Sequence, residues 1–219
     1  MFNCKGDDAK KKLLAQYDFE AVSRVRIAHG VIVKGCCGDL EDVQVIFAFK
    51  KKDEKKFVET IPMGEHCARV FLDLMNQADG QSRQLPTLVN PYVELKLGTG
   101  NAGTGGNSSN SSGLGGASSG KTIPPLNQEL YSAISLWFAL RGKEPKYAVA
   151  ELLVSLRDDP YSLVETKRVI DFLKLVASYR KSLKQIIAEH QAKYPQVQMK
   201  PHSFPHLNAV AQTNWIDLP

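Results

Sequence analysis

Residues 98–120 read GTGNAGTGGNSSNSSGLGGASSG, and they divide this chain in two. Nearly every position is Gly, Ser, Asn, Thr or Ala, and Leu114 is the one large apolar side chain. Such a stretch cannot bury enough surface to offset its own ordering entropy. It reads as a flexible coil of about 23 residues with a mean span of roughly 25–30 Å. The organisation expected is an α+β domain over 1–97, a flexible linker over 98–122, a helical domain over 123–195 and an extended tail over 196–219.

The linker ends in GGASSGKT, residues 115–122, which fits the phosphate-binding pattern G-x-x-x-x-G-K-[ST]. A working phosphate loop follows a buried strand and opens a helix, so that backbone N–H groups converge on the anion. Here the preceding residues are Asn and Ser, and Ile123-Pro124-Pro125 discourage helical geometry directly afterwards. No apolar strand ending in Asp offers a magnesium partner. The match is read as chance, and no nucleotide chemistry is expected from it.

The N-terminal part alternates. Residues 8–17 suit a short helix with Leu13, Leu14 and Tyr17 on one side. In 24–34, Val25, Ile27, Val31 and Val33 recur at period two, the signature of a half-buried strand, with His29-Gly30 as a bulge or turn. Val43, Val45, Phe47 and Phe49 repeat that signal, and residues 57–63 return as a third strand after a lysine-rich turn. Cys67, Val70, Phe71, Leu74, Met75 and Ala78 lie on one helical face ended by Asp79-Gly80. Residues 92–97 read as a last strand. The order helix, three strands, helix, strand resembles that of small dimeric chaperones of bacterial secretion systems, among other small α+β modules. It does so by element order alone.

The C-terminal part reads as three helices. The first spans about 127–141, with Leu130, Ala133, Ile134, Trp137 and Phe138 on its apolar face. The second starts near Pro145 and closes at Asp158-Asp159-Pro160. The third would begin at a capping box of Ser162 and Glu165 and run to Pro195, roughly 45 Å. Val169, Phe172, Leu173, Leu175, Val176, Tyr179, Leu183, Ile186 and Ile187 then fill an arc of about 160°, wider than a coiled-coil seam. The fold class expected is α+β: a small antiparallel sheet with covering helices, then a mainly helical part with one long amphipathic helix.

Charge and cysteine usage narrow the function classes. The net charge of +5 sits in the C-terminal half: residues 1–98 carry +1 and residues 121–219 carry +4. That is too mild to demand nucleic acid. No run approaches the roughly 18 apolar residues of a membrane helix. The start MFNCKGDDAKKKLL lacks an apolar segment of the secretory kind. Cysteines at 4, 36, 37 and 67 match neither a disulfide framework nor a CxxC pair, so a reducing, cytoplasmic setting is expected. A zinc site joining Cys36, Cys37, His66 and Cys67 would match no standard ligand spacing. His202 and His206 stand at i, i+4, but Pro201 and Pro205 argue against the helix that would align them. No catalytic residue, metal ligand or cofactor site is therefore assigned.

The reading that remains is a non-enzymatic, protein-binding adaptor or chaperone-like subunit of a larger cytosolic assembly. Its expected contact residues are Trp137 and Phe138 on the first C-terminal helix and Trp215, Ile216 and Leu218 in the tail, because buried Trp often dominates interfaces. Other protein subunits are the expected partners, with self-association open. The alternative is a nucleic-acid accessory protein using Lys167, Lys174, Arg180, Lys181 and Lys184 on the basic side of the long helix.

Overall fold

A computed structural model describes residues 2, 4–92, 122–179 and 181–216. Helix α1, Asp7–Gln16, opens on Asp7 and Asp8, whose carboxylates suit the positive end of the helix dipole. It ends one residue before the expected 17 and runs directly into β1, Tyr17–Arg26, which starts well ahead of the stretch 24–34 expected as a strand. Strands β2, Val33–Gly35, and β3, Gly38–Leu40, form a separate two-stranded hairpin. The stretch 24–34 is thus two strands, broken by a turn at Ala28–Val31 in which Gly30 takes φ +73°. Then follow β4, Val43–Lys51, β5, Glu59–Gly64, helix α2, Glu65–Asp79, and the short β6, Leu88–Val89.

The main sheet has the order β5-β4-β1-β6. β4 pairs antiparallel with both β1 and β5, but β6 lies parallel to β1, so the sheet is mixed rather than wholly antiparallel. The strand expected at 92–97 is represented by Tyr92 alone, which bridges to Met199; residues 93–97 lie outside the described residues. So does the linker up to Lys121, and with it all of GGASSGKT except Thr122.

Both faces of the sheet are covered. On one, Phe19, Ala21, Val45, Phe47, Ile61 and Met63 pack under Leu13 of α1 and Phe71, Leu72 and Met75 of α2. Of the expected face of α2, Phe71 and Met75 are buried, Cys67, Val70 and Leu74 are half-buried and Ala78 is exposed. Ala68 and Leu72 are buried instead, so the inward face is rotated from the expected one. Gly80 caps the helix in the left-handed region at φ +70°. On the other face, Val22, Ile46 and Ala48 meet the C-terminal helices. A register shift between Ala21 and Ser23 marks a bulge in β1. It lets Phe19 and Ala21 face α2 while Val22 and Ser23 address α3, where Ser23 Oγ lies 2.9 Å from Ser135 Oγ. The near-continuous apolar run of β4 follows, because a strand covered on both faces needs no polar side.

The covering helices are α3, Pro125–Leu140, and α4, Ala148–Asp158. Leu130, Ile134, Leu152, Leu153 and Leu156 from this pair complete one core with the sheet. The segments before and after the linker are therefore layers of one body. The result is α+β, a small mixed sheet followed by a mainly helical part.

The single long helix is not formed. It is replaced by α5, Thr166–Ala177, and α6, Leu183–Lys193. The capping box sits at Ser182 and Gln185: Ser182 Oγ accepts from Gln185 N–H at 3.1 Å, and Gln185 Oε1 accepts from Ser182 N–H at 2.8 Å. The expected Ser162 instead donates to the Asp159 carboxylate in a turn. Breaking the helix divides the wide apolar arc between two surfaces. Val169, Phe172 and Leu173 enter the main core, and Leu183, Ile186 and Ile187 pack on Leu136, Leu140 and Met199. The tail is not wholly extended either. Pro205, expected to oppose a helix, occupies the first position of α7, Pro205–Thr213, where its missing N–H costs nothing.

Candidate functional site

The C-terminal helices leave an open groove of about 880 Å³ between α3, α5, α6 and the 200–208 segment. Its walls are largely apolar: Trp137, Phe172, Val176, Leu183, Ile187 and Phe204. The groove exists because α6 buries none of its residues fully and rests on α3 only by one edge. Polar residues also line it, Lys184, Lys200 and His202 among them. Lys184 and Lys200 have no carboxylate partner among the described residues. His202, whose ring stacks on Phe204, has an Nε2 without a hydrogen-bond partner. Burial holds the His202 ring below the usual histidine value, the neutral form being the one a desolvated site favours.

The expected contact residues separate. Trp137 is only 1% exposed and belongs to the floor of the groove, so it cannot be a projecting anchor. Its ring meets Tyr179 edge-on at 5.4 Å, and the Arg141 guanidinium caps both, 3.7 Å from the Tyr179 centroid. Phe138 is partly buried against the main core, as is Ile216. Trp215 is 95% exposed and held at φ +54°, an unusual backbone state for a bulky residue. Leu218 lies outside the described residues.

The basic side of one long helix does not exist as a continuous face, because the break falls within it. Lys167 pairs with Asp171 at 2.7 Å and Lys181 with Glu189 at 2.7 Å. Lys174 is on α5, Lys184 is on α6, and Arg180 lies outside the described residues. His202 and His206 also part company, since His206 Nδ1 meets Glu129 Oε1 at 2.6 Å.

A second constellation is one that the sequence spacing argued against: the structure brings Cys36, Cys37 and Cys67 together, without His66. Cys36 and Cys37 are the two turn residues of the β2–β3 hairpin, and Cys67 is the third residue of α2. Their sulfur atoms lie 3.4 Å (Cys36–Cys37), 3.2 Å (Cys37–Cys67) and 3.9 Å (Cys36–Cys67) apart. Cys4, fully buried ahead of α1, interacts with Cys36 and more weakly with Cys37. All four thiols are free. Hydrogen bonding from Cys36, then from Cys37, with the charges of Lys10 and His66, lowers the Cys67 thiol to about 6 against the cost of burial. Cys36 is pushed up, first by its hydrogen bonds to Cys4 and Cys67 and then by burial. His66 itself is exposed and outside the sulfur group.

The chain belongs to the family described as uncharacterised conserved protein UCP028583, whose model matches residues 2–215. No curated protein matches the chain, and no solved structure does. No helix among the described residues is long and apolar enough to cross a membrane.

Proposed function

We propose that this chain is a non-enzymatic, cytoplasmic protein-binding subunit, adaptor-like or chaperone-like, that seats an acid-bearing amphipathic segment of another protein in its C-terminal groove. The supporting observation is the groove itself. It keeps apolar walls open to solvent while Lys184, Lys200 and the unpartnered His202 nitrogen line the same space. Apolar side chains of a partner helix would fill the groove, and its carboxylates would meet the lysines. Trp215 adds a second anchor of the kind that dominates interfaces, since a Trp left 95% exposed has its full apolar area still to bury.

The test is affinity capture from the native cytosol, with and without nuclease, comparing the intact chain with Ile187→Asp and Trp215→Ala. A stoichiometric protein should survive nuclease and be lost with Ile187→Asp, while circular dichroism of the variant stays unchanged. A synthetic peptide from that protein should then bind the intact chain at least about tenfold more tightly than Ile187→Asp, a difference of about 1.4 kcal/mol. Recovery that collapses with nuclease would favour the basic residues and nucleic acid. Capture indifferent to Ile187→Asp would remove the groove from the account.

A further inference from the structure

The chain has four cysteines, and three well-separated stretches bring them to one place on the α2 side of the sheet. The hairpin turn carrying Cys36 and Cys37 is held there by the Cys36 N–H, which donates to the Pro62 carbonyl of β5 at 3.0 Å. The glycines flanking the turn allow the approach. A Cβ at Gly35 would meet the Leu40 side chain at 2.8 Å and the Gly38 carbonyl oxygen at 3.0 Å, and Gly38 takes φ +146°. Cys67 arrives from the opposite direction on the first turn of α2, where unpaired N–H groups favour negative charge.

We propose that Cys36, Cys37 and Cys67, with Cys4 beside them, form a thiolate centre for a zinc-class divalent ion. The three sulfurs make a triangle with edges of 3.2, 3.4 and 3.9 Å. Tetrahedral zinc with bonds of about 2.3 Å spaces its sulfurs by roughly 3.8 Å, which the longest edge matches and the two shorter ones reach by opening about 0.4–0.6 Å. An ion at that bond length from all three stands roughly 1 Å off their plane, with one position left for a fourth ligand. Cys4 is the buried donor on hand for that position.

Charge and access suit the same assignment. Several thiolates around one divalent ion carry net negative charge. Lys10 answers it: this lysine is 6% exposed and acts electrostatically on both Cys4 and Cys67. Cys37 is exposed and gives an entry path, while Cys36 is buried beneath it. Each thiol that binds releases its proton to solvent. A disulfide needs only two sulfurs and gives the others no reason to converge. A metal ion needs all of them at once. The centre would join the segment before α1, the hairpin and α2, and so pin a hairpin whose strands are three residues each. It lies on the opposite face of the sheet from the C-terminal helices, so it stands or falls separately from the groove.

The full chain, reduced and handled without oxygen, is titrated with Co²⁺ and then Zn²⁺. The expected result is one Co²⁺ per chain, with thiolate-to-cobalt charge-transfer absorption and the intense visible bands of a tetrahedral site, both abolished by one equivalent of Zn²⁺. Cys37→Ser and Cys67→Ser should each weaken Co²⁺ binding by more than the about 10–100-fold typical of outer-shell partners. The wild-type titration does not depend on how the variants fold. Folded, reduced protein that shows no thiolate–cobalt absorption would overturn the proposal. So would a two-hydrogen loss of mass, from a disulfide forming on exposure to air, in protein that never bound the ion.

Discussion

Asn127 is fully buried on the first turn of α3, and both ends of its amide are used. Its Nδ2 donates to the Pro160 and Ser162 carbonyls at 3.0 and 2.7 Å, and its Oδ1 accepts from Val164 N–H at 3.1 Å. One side chain thus organises the whole turn between α4 and α5. Asn127→Ala should cost about 2–3 kcal/mol in urea denaturation, because it leaves buried backbone groups without partners. A loss below about 0.5 kcal/mol would mean that water replaces the amide freely. In the sequence Asn127 reads only as a residue near a helix start, since its partners lie more than 30 positions away. The two tryptophans teach the same lesson. Both read as interface residues, yet Trp137 closes the floor of a groove and Trp215 projects into solvent. Local pattern does not distinguish an apolar residue that finds an internal neighbour from one that does not.

Among the elements, α6 differs most from its expected form. Two capping patterns, Ser162 with Glu165 and Ser182 with Gln185, are present in the sequence, and only the second caps a helix. The first loses because Ser162 is already engaged by Asp159 and Asn127. Helix α6 also carries His190, which faces the Tyr92 hydroxyl at 3.1 Å, with His29, Lys193 and Tyr194 around it. Burial first, then the charges of His29 and Lys193, holds its ring below the usual value of 6.5. The folded state therefore resists a proton that the unfolded state accepts. The contribution is complete above the unfolded value and is lost as pH falls through the lowered one. Thermal unfolding measured from neutral pH downward should show the melting temperature declining below about 6.5, and His190→Gln should flatten part of that decline. His202, lowered for the same reason, supplies a further part. An unaltered pH profile in the variant would assign the whole effect elsewhere.

For the molecule as a whole, the decisive contact is between the sheet and the helices that follow the linker. Val22, Ile46 and Ala48 share a core with Leu130, Ile134 and Leu153. Polar links reinforce it: Thr60 Oγ1 donates to the Pro145 carbonyl at 2.6 Å, and Tyr147 N–H donates to the Val58 carbonyl at 2.6 Å. One shared core implies one cooperative unit. Ile134→Ala should destabilise the protein by about 2–5 kcal/mol, the usual cost of such a cavity. Far-ultraviolet circular dichroism, reporting all layers, and tryptophan fluorescence, which includes Trp137, should lose signal in one coincident transition. Two separated transitions would mean that the layers fold alone.

The sequence by itself determined the local elements: α1, the existence of β4 as an apolar strand, the helix α2 and its glycine cap, and the apolar character of α3 and α4. These depend on periodicity and terminal residues within a few positions of each other, which is where helix and strand geometry is written. It also determined the α+β class. Only the tertiary structure decided that the parts beside the linker share one core, that the long apolar arc breaks at Ser182, and that four scattered cysteines meet. Those outcomes depend on contacts between residues tens to more than a hundred positions apart, such as Ser23 with Ser135 and Cys36 with Cys67. No spacing rule encodes such contacts, because the path between the partners is set by how the sheet and its two covering layers pack.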